Sequence, residues 1–291
     1  MSIVALAGAG AAWADRQISE SVAADDDVVV SVEIMAGDVE VVAWDEPRVT
    51  IEGTIGDDVE GVEIEGRGSR VEIVVKIPED AGRKKTIDAD ARLDIRVPRG
   101  AEVEVESLSA DIAVRDVRGD VHAETVSGDV TLETRSKRIE AAVVSGDLRI
   151  TTPGGELTDL EVDAVSGDVT ITGVSGSASV ELVSGDLHLE GSVSHAEIEA
   201  VSGDVRIAAG FMPGAQVEIN VVSGTVDLAV PPGTSARFRV ETFSGAIETD
   251  FGSPTRADEH VPGMELDATA GSGDARVEIE SFSGTVRIKK Q

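Results

Sequence analysis

Val126-Ser127-Gly128-Asp129-Val130-Thr131-Leu132 returns as Val144-Ser145-Gly146-Asp147-Leu148-Arg149-Ile150 and again as Val165-Ser166-Gly167-Asp168-Val169-Thr170-Ile171. Val183-Ser184-Gly185-Asp186-Leu187 and Val201-Ser202-Gly203-Asp204-Val205 keep the tripeptide intact. Drifted copies follow at Ser223-Gly224-Thr225, Ser244-Gly245-Ala246 and Ser283-Gly284-Thr285, and a degenerate one precedes at Ser109-Ala110-Asp111. Counted from Ser109, the serines are 18, 18, 21, 18, 18, 21, 21 and 39 residues apart. A period near twenty marks a repeat array in which one supersecondary unit stacks on the next.

With the serine at position zero, position −4 is apolar throughout, from Ala123 and Ala141 to Val240 and Ile279. Position −1 is larger and apolar: Val126, Val144, Val165, Val183, Val201, Val222, Phe243 and Phe282. Positions +3 and +5 are mostly apolar, as in Val130/Leu132, Leu187/Leu189 and Val286/Ile288. A spacing of two is strand periodicity. The steps from −4 to −1 and from −1 to +3 break it, and we read them as slips that re-aim the core face at a corner. Both −4 and −1 are thus expected in the core. The glycines at +1 (Gly128, Gly146, Gly167, Gly185, Gly203, Gly224, Gly245 and Gly284) are the expected structural corner, where φ > 0 and close backbone approach are tolerated. A second corner carries Pro or Gly, as at Pro153-Gly154-Gly155, Pro213-Gly214 and Pro231-Pro232-Gly233.

Two short strands and two corners in 18–21 residues predict an all-β fold, a parallel β-solenoid with equivalent positions stacked about 4.8 Å apart. The crossover rule makes it right-handed. An antiparallel sandwich also suits short, evenly spaced strands but does not explain why residue types recur in phase.

Residues 15–100 show strand patterns without the full repeat, at Val28–Val32, Val39–Val42, Val49–Ile55, Val71–Ile77 and Leu93–Val97. They predict an irregular β cap ahead of the repeat region 101–291. Ala36-Gly37-Asp38-Val39-Glu40-Val41 reads as an isolated early corner, Pro78 to Asp90 as an exposed loop, and 250–263 as an insertion before the last coil. Trp44 is expected to plug an end of the stack. Lys289-Lys290 are expected to guard a terminal edge strand. Residues 1–14, with an apolar run from Ile3 to Ala12 and then Ala12-Trp13-Ala14, predict a cleaved signal peptide, although Met1-Ser2 supplies no basic n-region. That implies export to the periplasm or cell surface. No other segment predicts a transmembrane helix.

Hydrophobic residues make up 41% of the chain and aromatics 2%, so the core must be built from Val, Ile, Leu and Ala. A net charge of −31 argues against nucleic acid and anionic lipid. Such a field attracts cations, cationic peptides or a basic protein face. The absence of Cys excludes disulfides, thiolate metal sites and cysteine nucleophiles.

Two acidic rows follow from the alignment. Position −3 carries Glu106, Glu124, Asp163, Glu181, Glu199, Glu241 and Glu280; position +2 carries Asp111, Asp129, Asp147, Asp168, Asp186 and Asp204. Stacked like charges repel. The Asp residues therefore either cap the corner through backbone N–H groups or form a metal ladder (Asp129, Asp147, Asp168, Asp186 and Asp204) for Ca²⁺. The match to the nine-residue calcium-binding repeat is poor, and no other cofactor is expected. A catalytic serine does not recur eight times along a chain. His122, His188, His195 and His260 carry no metal-ligand motif.

The early Ala36–Val41 corner, the step Leu93-Asp94-Ile95-Arg96-Val97-Pro98-Arg99-Gly100, the iterated Val-Ser-Gly-Asp-Val and the ending around Phe243-Ser244-Gly245 and Phe282-Ser283-Gly284 together resemble one bacterial family. It is the "putative adhesin" family, a β-strand-repeat domain of unknown function related to envelope-stress solenoid proteins. The resemblance implies a β-solenoid in an envelope protein, in a family some of whose members sense antimicrobial peptides, and it carries over no catalytic residue. The expectation is a non-catalytic exported scaffold or binding/adhesion module, with the stress response as one setting the resemblance implies and an unknown protein or cationic peptide as partner. The alternatives are a β-helix enzyme acting on polysaccharide and a Ca-binding repeat protein.

Overall fold

The computed structural model describes residues 16–78, 89–154, 157–258 and 261–291. The expected signal peptide, Trp13, His260 and most of the Pro78–Asp90 loop lie outside them. The described residues are all-β, without a helix, and fall into two compact units that divide after Ser136.

The first unit holds β1 (Arg16–Trp44), β2 (Arg48–Ile55), β3 (Gly61–Lys76), β4 (Asp90–Pro98), β5 (Glu102–Arg115), β6 (Val121–Ser127) and β7 (Val130–Glu133). β5 runs parallel to β1 with Ala36 opposite Ser109, Gly37 opposite Ala110 and Asp38 opposite Asp111. The early corner is therefore a true member of the stack. β1 is also parallel to β3 and β4, while β2 lies antiparallel to β1 and β4. The first unit thus mixes parallel and antiparallel pairings. Trp44 is half-buried there, donating from Nε1 to the Arg48 carbonyl at 2.9 Å, with the Arg48 and Arg96 guanidiniums 5.1 and 5.8 Å from its ring centre. Beside it the Arg99 guanidinium bonds Asp45 at 2.6 Å.

The second unit holds β8 (Arg138–Ser145), β9 (Leu148–Thr151), β10 (Leu157–Ser166), β11 (Val169–Ser184), β12 (Leu187–Ser202), β13 (Val205–Val230), β14 (Ala236–Thr249), β15 (Thr255–Asp258), β16 (Val261–Ala270) and β17 (Ala275–Lys290). Its repeats pair in parallel and in phase: Ser145 opposite Ser166, Ser166 opposite Ser184, Ser184 opposite Ser202, and Ser202 opposite Ser223. Parallel pairing at the sequence period removes the sandwich reading.

The last turn departs from simple serial stacking. β17 pairs with β13 on one side (Ser223 opposite Ser283) and with β14 on the other (Ser244 opposite Ser283). The final repeat thus inserts beneath the one that precedes it in sequence. The 250–263 insertion supplies β15 and the start of β16, and β16 turns back antiparallel on β14. Lys289 and Lys290 accordingly guard no edge: Lys290 lies opposite Val230 in an interior strand, and its ammonium sits 5.0 Å from the Phe251 ring centre.

The core is aliphatic. Positions −4 and −2 point inward before the corner, and +3 and +5 after it, as Val180, Leu182, Leu187 and Leu189 show, each at most 2% exposed. Phe238, fully buried, is the largest core side chain and packs against Phe251 with ring centres 5.0 Å apart.

Candidate functional site

The corner explains the tripeptide. At Gly203 φ is 138°, and a Cβ there would lie 1.7 Å from the Gly185 carbonyl oxygen on the next rung. Only a residue without a side chain permits that approach. The same contact recurs at Gly128, Gly167, Gly185, Gly224 and Gly284, and Gly245 makes it without a left-handed φ. Gly146 has φ 145°.

The Asp residues at +2 form a hydrogen-bond ladder. Asp129 N–H donates to Asp111 Oδ1 at 2.9 Å. In the second unit Asp168 donates to Asp147 (3.0 Å), Asp186 to Asp168 (2.9 Å), Asp204 to Asp186 (2.9 Å) and Thr225 to Asp204 (3.0 Å). Asp111, Asp147, Asp168, Asp186 and Asp204 therefore each have one carboxylate oxygen engaged by the backbone of the next rung, a charge-assisted bond. Arg206 offsets part of the like-charge repulsion by bonding both Asp204 and Asp186, at 2.9 and 3.4 Å. Among the described residues no group of three or more His, Asp or Glu side chains is placed to hold a metal ion.

Position −1 overturns its expected burial. Val126, Val144, Val165, Val183, Val201 and Val222 are 45–50% exposed, Phe243 is 50% and Phe282 58% exposed. The buried partner of position −4 is instead −2 (Val143, Leu182, Val221), so strand alternation holds up to the corner without a slip. Position −1 then faces water by simple parity. Met35 and Leu108 occupy the same slot in the first unit and are 40% and 51% exposed.

In the second unit these side chains form one stripe across the stack. Because β17 inserts, its spatial order is Val144, Val165, Val183, Val201, Val222, Phe282, Phe243. The two aromatic rungs become neighbours, with ring centres 4.9 Å apart and planes 6° from parallel. That separation is the strand spacing itself. From Val183 onward the stripe floors a groove of about 660 Å³, walled by Glu181, Glu199, Glu241 and Glu280 and ended by Met264 of β16. Among the described residues nothing covers it, and its apolar side chains stay about half exposed.

The Toastrack DUF4097 family model matches residues 48–289, most of the chain. The chain belongs to the Toastrack DUF4097 family. Solved structures similar to this Toastrack chain include a "putative cell adhesion protein" of Clostridium sporogenes, at 11% identity, covering 95% of this chain and 100% of that one with a TM-score of 0.30. A "putative adhesin" of Bacteroides fragilis matches at 11% identity over 96% and 100% of the two chains, TM-score 0.32. A "putative lipid binding protein" of Parabacteroides distasonis matches at 13% identity over 94% and 96%, TM-score 0.40. No match is found among curated proteins.

The remaining sequence candidates in this Toastrack chain are scattered. His122 faces Glu124 at 3.2 Å and His188 faces Glu190 at 2.9 Å, each two residues along its own strand, while His195 is exposed. The glutamates at −3 are brought together with the apolar stripe. The sequence reading missed the stripe itself, and the available signal was parity: a residue three from a core position in an unbroken strand points outward.

Proposed function

We propose that this Toastrack chain is a non-catalytic binding module of the cell envelope whose apolar stripe, bordered by glutamates, receives a partner carrying apolar and basic side chains. The observation that carries this reading is the exposed row from Val183 to Phe243 and its acidic wall. Contiguous apolar rows rimmed by polar residues mark interaction sites rather than ordinary surface. The net charge of −31 draws basic partners toward that face. The stack serves as a rigid scaffold that winds right-handed, and the signal-like stretch of residues 1–14 supports export to the periplasm or cell surface. A role in the envelope stress response or in adhesion belongs to the same proposal. It requires no cofactor, because the repeated Ser-Gly-Asp serves the corner and one oxygen each of Asp147, Asp168, Asp186 and Asp204 already accepts a backbone N–H.

The test compares the wild-type chain with a Val201→Asp, Val222→Asp, Phe282→Ser variant for capture of partners from envelope extract. These positions are solvent-facing, so the variant is expected to keep its thermal midpoint while losing every stripe-dependent partner. Equal capture by both chains at equal stability overturns the proposal.

A further inference from the structure

The stripe has a pitch, and the pitch selects the shape of what lies on it. Side chains from Val183 through Val201, Val222 and Phe282 to Phe243 sit on successive rungs, spaced by about 4.8 Å as parallel strands require. The groove therefore runs across the strands, along the stack. Its floor is apolar, and its wall, Glu181, Glu199, Glu280 and Glu241 with Asn220 on the Val222 rung, lies two residues back along each strand, about 6.6 Å away. Met264 stands at the end beyond Phe243.

Four kinds of occupant meet this face differently. A second copy of the chain would set one glutamate wall and a charge of −31 against another of the same sign, so charge disfavours it. An extended segment repeats its same-face side chains about every 6.7 Å and leaves register after one or two rungs. A polyproline II segment repeats about every 9.3 Å, near two rungs, and leaves alternate side chains uncovered. An α-helix advances about 5.4 Å per turn and offers one apolar position to each rung, drifting by only about half a rung over the five.

Resting on the reading of this face as the binding site, we infer that its partner docks as an amphipathic α-helix laid along the stack. Apolar residues at i, i+3/i+4 and i+7 sit over Val183, Val201, Val222 and the stacked Phe282–Phe243 pair. Lys or Arg residues on one flank face Glu181, Glu199, Glu280 and Glu241. Five rungs span about 19 Å, which a helix of about 13 residues covers. The aromatic pair receives the most tightly packed end, since rings supply large contact area for little lost freedom.

The experiment measures binding of the full chain to three fluorescently labelled 15-residue peptides of the same Leu and Lys content, with Ala at the other positions apart from the proline of the third. One is ordered for an amphipathic helix, one alternates Leu and Lys with period two, and one keeps the helical order around a central proline. The helix-ordered peptide is expected to bind about tenfold or more tighter than either rival, to gain helical circular dichroism on binding, and to lose about tenfold with Val222→Asp or Phe282→Ser. Affinity for the alternating or proline peptide equal to that for the helical one, still weakened by Val222→Asp, overturns the helical partner and leaves the face intact. Affinity for all three that ignores both variants at unchanged thermal midpoints overturns the face as well.

Discussion

Replacing Gly203 by alanine tests the corner at its tightest point. The new Cβ would sit 1.7 Å from the Gly185 carbonyl oxygen, whereas real Cβ contacts essentially never fall below 3.0 Å. The rung must therefore open by more than an ångström, or the corner must leave its φ of 138°. Opening loosens three bonds that tie these two rungs: Gly185 N–H to Ser202 O at 3.2 Å, Leu187 N–H to Asp204 O at 2.9 Å, and Asp204 N–H to Asp186 Oδ1 at 2.9 Å. Each contributes about 0.5–1.5 kcal/mol net, and holding an L-residue in this backbone region costs a further 1–3 kcal/mol or so. The expected loss is about 2.5–7.5 kcal/mol in the second unit. Gly214→Ala is the control, with φ 78° but nothing within 4 Å of its Cβ, so it should cost only about 1 kcal/mol. Urea denaturation of both variants, with hydrogen exchange to localise the opening, measures the difference. If Gly203→Ala destabilises no more than Gly214→Ala, the claim that backbone approach demands this glycine is wrong.

Ser281 holds a buried inward slot on β17 opposite Val221 and Thr242, and its Oγ has no hydrogen-bond partner among the described residues; Ser281→Ala should raise stability by about 1 kcal/mol in the same denaturation assay, and a loss of that size would contradict it. The hydrogen bond and charge of Arg99 hold the Asp45 carboxyl below its usual range. The stabilisation from that pair is therefore complete above the unfolded aspartate value and vanishes as pH falls through the lowered folded value. In Arg99→Gln, an NMR titration should find Asp45 back at an ordinary aspartate value, and an unchanged titration would remove Arg99 as the cause. Because Asp147, Asp168, Asp186 and Asp204 each have one oxygen engaged by a backbone N–H, millimolar Ca²⁺ or EDTA should leave the thermal midpoint unmoved; a rise with Ca²⁺ that Asp186→Asn abolishes would restore the metal-ladder reading.

The fold was largely legible because the repeat carries its own register. From Ser145 to Ser223, serines 18 or 21 residues apart became partners on adjacent strands, and Ala36-Gly37-Asp38, read as an isolated early corner, lies opposite Ser109-Ala110-Asp111. The order of the last rungs was not legible. The residues at 223, 244 and 283 are near-equivalent repeats, and nothing local distinguishes stacking 283 on 244 from slipping it beneath. The wrong assignment of position −1 has a different cause. Val and Phe just before the Ser-Gly corner look like core, and composition outweighed parity in the reading of Val222 or Phe282. Large apolar residues that break inward alternation are informative because folding alone does not require them there. The site therefore lay in the sequence as a violation of pattern. The conspicuous Ser-Gly-Asp, by contrast, is consumed by structure.

The chain contains no Cys, so single cysteines can report directly on which side chains the stack offers to a partner. The decisive comparison is the thiol-labelling rate of native Val222→Cys and Val221→Cys, alone and with the helix-ordered basic peptide bound. The account predicts rapid labelling at position 222, strong protection at 221, and slowing at 222 alone when the peptide binds. Protection of both positions in the free chain, or labelling at 222 that ignores bound peptide, would contradict it.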